Sequence, residues 1–120
     1  MADRVLFIGW GAPVHGREER GLEVFSEALG MYGRMQQDGR IEGFDVTLLD
    51  PAGDLQGYME LHGTTEQLAA LRVAEDFRRL LADASLIVQD MRLIEGYTNE
   101  AIAREVALYQ DAIAKVPQHT

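Results

Sequence analysis

The sequence predicts an α+β domain in which strands and helices follow the order βαββαβ, with one more helix at the C-terminus. Three features predict it. Short runs rich in β-branched and aromatic residues alternate with two long stretches whose apolar residues recur every three or four positions. The second and third short runs are separated by Asp50-Pro51-Ala52-Gly53-Asp54, a turn-forming stretch that makes them a hairpin. A last periodic stretch starts at Thr98 or Asn99 and is stopped by Pro117.

Arg4 to Gly11 is the first strand. Val5 and Phe7 point to one face and Leu6, Ile8 and Trp10 to the other, so a strand apolar on both sides belongs at the centre of a covered sheet. Gly11 to Gly16 is a loop by its glycine and proline content. A helix follows from Arg17 to Asp38, with Leu22, Phe25, Ala28 or Leu29, Tyr32 and Met35 as its apolar stripe. Glu18 and Glu19 occupy the first turn, where the helix dipole favours anions, and Gly39 follows the end. Gly30 and Gly33, each costing about 1 kcal/mol relative to alanine, are expected where this helix approaches the sheet closely.

Ile41 to Leu49 and Gln56 to His62 are the hairpin strands. Thr64-Thr65-Glu66-Gln67 has the pattern of a capping box and opens a helix with Leu68, Leu71, Ala74, Phe77, Leu80 and Leu81 on one face. Ser85 to Ile94 is the fourth strand, with Leu86 and Val88 on one side and Ile87, Met91 and Leu93 on the other. The terminal helix carries Ile102, Val106, Tyr109, Ile113 and Val116, and the last three residues are expected to fray.

At 120 residues the chain is expected to form one domain, with its core at 4–94 and the C-terminal helix at 98–116. Cysteine is absent, which excludes disulfides, thiolate metal sites and a cysteine nucleophile. A net charge of −9 with a single lysine, Lys115, argues against a nucleic-acid partner, because phosphates must be neutralised by basic side chains. The apolar run Val5 to Ile8 is too short for a secretory signal or a membrane span, so a cytoplasmic protein with no membrane partner is expected.

The order βαββαβ is the split βαβ arrangement of ferredoxin-like domains, with an antiparallel four-stranded sheet. Right-handed crossovers put both core helices on one face and leave the other bare, with the first and third strands central. The bare face is too apolar for water alone. The C-terminal helix is one possible cover. A second copy of the chain is the other, sheet against sheet in an isologous homodimer, with the extra helix at the edge or across the interface.

Strand order, helix lengths and sheet amphipathy resemble the dimeric α+β barrel superfamily over roughly residues 4–94. Within it, LLDPAGDLQGYMELHG followed by a helix containing Glu75-Asp76-Phe77 resembles the YCII-related proteins. Those carry an Asp-Pro-Phe segment and a histidine–aspartate pair. Here the proline is missing and no histidine lies in the first strand, so the resemblance implies only Asp76 as a catalytic candidate. The superfamily includes monooxygenases, haem-handling enzymes, isomerases and small proteins of unknown role.

Among the residues themselves, Tyr58, Glu60 and His62 alternate and share one face of a central strand, with Met59 and Leu61 on the other. With Trp10 joining from the neighbouring strand, they would line a cavity between subunits. There His62 with Glu60 as catalytic pair suits general acid–base work without metal or cofactor, and Trp10 and Tyr58 suit an apolar or aromatic ligand. A solvated strand end is the plainer account of Glu60 and His62.

Gly9 to Gly16 lacks both the dinucleotide glycine, since Val14 stands there, and the Gly-Lys-Ser/Thr ending of a phosphate loop. It is an ordinary connection or a flexible mouth that carries His15 as a ligand contact. Arg92, with Asp90 on the same face, is either half of an ion pair or an anchor for a ligand carboxylate. His15, His62 and His119 show no metal-ligand spacing, and no Gly-x-Ser-x-Gly turn is present. Two functions stay open: a homodimeric module binding a small apolar or aromatic molecule, and a cofactor-independent oxygenase or isomerase.

Overall fold

A computed structural model describes residues 2–117; the expected fraying of the last three residues, and His119 with them, lies outside that range. The elements are β1 (Arg4–Trp10), α1 (Glu18–Gln37), β2 (Gly43–Ala52), β3 (Leu55–Gly63), α2 (Thr65–Val73), α3 (Glu75–Ser85), β4 (Arg92–Tyr97) and α4 (Glu100–Ala114). The strands form one antiparallel sheet in the order β2-β3-β1-β4, the ferredoxin-like topology, with β1 and β3 central as the sequence predicts.

Register assigns the faces. Leu6 lies opposite Leu61, which lies opposite Phe44, and Ile8 lies opposite Met59 and Val46, so these residues share the helix side. They form the core with Val24, Ala28, Tyr32 and Met35 of α1, Leu68 and Leu71 of α2, and Phe77 and Leu80 of α3. The Tyr32 ring sits between Phe44 and Phe77, with centroids 5.9 and 6.4 Å away. The other face presents Phe7 opposite Glu60 and Asp45, Val5 opposite His62, and Gly9 opposite Tyr58 and Thr47. From β4 it adds Arg92 and Ile94. The capping box is present in full: the Thr64 hydroxyl accepts from the Gln67 N–H, and the Thr64 N–H donates to the Gln67 side chain.

Several expectations are corrected. The helix after Thr64 is two helices, because Ala74 is extended (φ −70°, ψ 135°). The break lets Leu68 and Leu71 bury at one angle and Phe77 and Leu80 at another.

The fourth strand starts at Arg92 because α3 runs on to Ser85. The apolar alternation before it serves a separate contact. The Gly11 and Val14 N–H groups donate to the Gln89 and Ile87 carbonyls, the Gln89 N–H donates to Ala12, and Pro13 bridges Val88. Asp90 stands at φ 56° outside the strand, so it does not share a strand face with Arg92. Ile41 likewise precedes its strand and is buried there.

Gly30 and Gly33 do not approach the sheet. A Cβ at Gly33 would meet nothing within 4 Å, and one at Gly30 would meet only the Arg34 guanidinium at 3.2 Å. Both lie off the buried stripe, which begins at Val24 while Leu22 is exposed. Of the two possible covers for the bare face, α4 is not the one used within the chain. It packs against β4 with Ala101 buried and Arg104 paired with Asp3, and it leaves Ile94 on the open face 54% exposed. The radius of gyration is accordingly 17.1 Å, against about 14 Å for a compact chain of this length. Among the described residues, no helix is long and apolar enough to cross a membrane.

Candidate functional site

Chemistry gathers in two places, one on each side of the sheet. On the helix side, the C-terminal end of β1, the first turns of α1, the end of α3 and the tip of the β2–β3 hairpin enclose a cavity of about 270 Å³ that opens to solvent. Its walls are largely aliphatic, with three aromatic rings (Trp10, Phe25 and Tyr32) among them, and its polar fittings are few, Gln56 and Glu18. Trp10 meets the edge of Phe25 at 6.0 Å.

The Trp10 indole lies on Gly57 of β3. A Cβ there would stand 2.6 Å from Cζ2 of the ring, so only glycine allows this seat. Tyr32 is 2% exposed, and burial pushes its hydroxyl above the usual phenol range, so it stays a neutral donor. The rim is pinned by the Gly11-to-Val14 hydrogen bonds to 87–89, and a Cβ at Gly11 would come within 2.9 Å of the Asp54 carbonyl. The Gly11 and Val14 amides are thus engaged with backbone carbonyls, which fits the ordinary connection of the two readings of this loop.

On the open face, the His62 imidazole Nε2 lies 2.8 Å from Oδ2 of Asp45. Glu60 is directly across from Asp45 on the neighbouring strand, and Tyr58 stacks on Phe7 with ring centroids 5.0 Å apart. Arg92 donates to Asp54 of the hairpin tip at 2.8 Å, which makes it half of an ion pair.

The structure thus brings Tyr58, Glu60 and His62 together on one face, as the alternation predicts, and adds Asp45, which the sequence reading missed. It does not bring Trp10 to them: Trp10 follows Leu6 and Ile8 to the helix side, and the sheet stands between. His15 is exposed on the rim loop. Asp76 is far from both groupings in role. It accepts from both terminal nitrogens of Arg40, at 2.7 and 2.9 Å, and from the Phe77 N–H, and these donors hold its carboxyl below the usual range. It ties α3 to the connection after α1. No cluster of three or more metal-ligating side chains occurs among the described residues.

Phe25, Met59, Ala84 and Gly57 were missed as site residues because each reads as core or as a weak strand position. The one available signal was a glycine inside a strand opposite the only tryptophan.

No family model matches the sequence, and no curated protein does. Among solved structures, the chain is similar to a dimeric protein of unknown function and ferredoxin-like fold from Bacteroides fragilis, with TM-score 0.59 and 9% identity over 78% of this chain and 95% of that one. It is also similar to SnoaB, a cofactor-independent oxygenase from Streptomyces nogalater, with TM-score 0.49 and 17% identity over 82% of this chain and 93% of that one. The first likeness agrees with the element order and sheet topology: the chain has a ferredoxin-like α+β fold.

Proposed function

We propose that this chain is a homodimeric small-molecule-binding domain whose ligand, a compact apolar or aromatic compound, occupies the cavity between the sheet and the helices. The apolar cavity around Trp10 carries the reading. A void of about 270 Å³ is roughly twice the size of one that takes up benzene, so it suits a ligand of about two fused rings. A bound apolar molecule would cover apolar wall that the open cavity leaves to water. The homodimer is supported by the half-apolar open face of Val5, Phe7, Tyr58 and Ile94, and by the dimeric neighbour of the same fold. The resemblance to YCII-related proteins adds no residue, because Asp76 is held by Arg40.

Native mass spectrometry of the purified chain tests this, together with titration by anilinonaphthalene sulfonate while Trp10 emission is followed. Twice the chain mass and saturable energy transfer from Trp10 are expected, with Ala84→Phe abolishing the transfer by filling the cavity. A monomer, or a wild-type chain to which the fluorophore does not bind, refutes it.

A second reading rests on the His62–Asp45 hydrogen bond with Glu60 alongside. Buried in a dimer interface, that group would serve as the acid–base centre of a cofactor-independent oxygenase or isomerase. It predicts that His62→Ala abolishes turnover of a cavity-sized aromatic compound while the dimer persists.

A further inference from the structure

We infer that α4 of a second copy of this chain closes the mouth of the cavity, so that each ligand site is completed by its partner. The inference rests on the cavity and the dimer proposed above. Two apolar surfaces are left over in the single chain. One is the lip of the cavity, where Leu22 and Leu48 are 71% and 68% exposed. The other is the α4 stripe of Ile102, Val106 and Tyr109, which are 51%, 49% and 68% exposed. The stripe is offset from the side on which Ala101 is buried against the chain's own fold.

A chain's own α4 cannot serve its own cavity. The mouth lies at the end of the sheet where β1 finishes at Trp10, and α4 departs from the opposite end, where Tyr97 pairs with Arg4. Its start is fastened there. The Thr98 N–H donates to the Asp3 carbonyl, the Asn99 amide donates to the Ala2 carbonyl at 2.7 Å, and Arg104 donates to the Asp3 carboxylate at 2.7 Å.

An isologous pair reverses that relation. With sheets face to face about a two-fold axis running across the strands, the α4 end of one copy lies over the mouth end of the other. Facing sheets sit about 10 Å apart, and the partner's helix layer is roughly another 10 Å beyond its sheet. At 1.5 Å per residue α4 is about 22 Å long, enough to pass the sheet edge and reach the lip. Charge favours the same contact. The chain carries −9 overall, so two copies repel, yet α4 and its cap hold two basic residues (Arg104, Lys115) against three acidic ones (Glu100, Glu105, Asp111), close to neutral.

Trp10 is the only tryptophan and lines the cavity, so acrylamide quenching of its fluorescence reads the cover without any ligand. The emitting chain is the Val106→Glu, Tyr109→Glu variant, with Tyr109→Ala as a milder version if the double variant does not fold. The dark chain is Trp10→Phe with α4 intact. Quenching of the emitting variant alone is expected to rise at least twofold over wild type, with unchanged circular dichroism. Mixing in excess dark chain is expected to return it to the wild-type value, because an intact arm from the partner then covers the mouth. Wild-type quenching in the variant alone, or no recovery on mixing, overturns the inference. If the wild type is dimeric and binds anilinonaphthalene sulfonate but mixing gives no recovery, the arm alone is refuted; a monomeric wild type refutes the dimer with it.

Discussion

At the scale of single residues, small groups decide where large ones go. The Trp10 ring occupies the space a Gly57 side chain would need, so Gly57→Ala must displace the indole or the strand. This substitution is expected to lower stability by about 1–3 kcal/mol and to shift Trp10 emission, read by chemical denaturation and fluorescence. Asp76 works through charge. Its carboxyl is held below the ordinary value of 3.8, so the unfolded chain takes up the proton first as the solution is acidified. The stabilisation from the Arg40 pair is therefore present above that value and lost as pH falls through the depressed native one. Both side chains are well exposed, so Asp76→Asn is expected to cost no more than about 1 kcal/mol at neutral pH. The difference from wild type should vanish in acid, which denaturation at several pH values measures.

At the scale of elements, local signals were legible and the partner of each element was not. The Thr64 capping box, the Glu18 and Glu19 start of α1 and the alternation of Tyr58, Glu60 and His62 are nearest-neighbour features, and they stand as read. Thr64→Ala should cost about 1 kcal/mol, seen as a lower denaturation midpoint. The break at Ala74 escaped because no proline or glycine marks it and the apolar spacing runs through it. Residues 86–91 read as strand because a bridge to Pro13 selects the same alternation. The side taken by Trp10 depended on which face of β1 met α1, a choice made by packing. Trp10 therefore stands on the helix side, apart from Tyr58, Glu60 and His62.

At the scale of the whole molecule, apolar surface is left over. An extent of 54 × 36 × 23 Å, an open sheet face and a helix held mainly at its start describe a chain that leaves apolar side chains exposed. Ile94→Glu places a charge on the exposed β4 side of the proposed sheet–sheet contact, away from the cavity. It is expected to weaken dimerisation at least tenfold, read by sedimentation equilibrium, with the helix-side core intact.

The place of β4 in the sheet has a consequence during synthesis. It pairs with β1, Arg4 against Tyr97, so the first strand made waits for the last. Until Arg92–Tyr97 leaves the ribosome, β1 is an uncovered edge, apolar on both sides and ready to pair with any nascent neighbour. The growing sheet is thus most exposed to aggregation in the interval after β3 has paired and before β4 arrives.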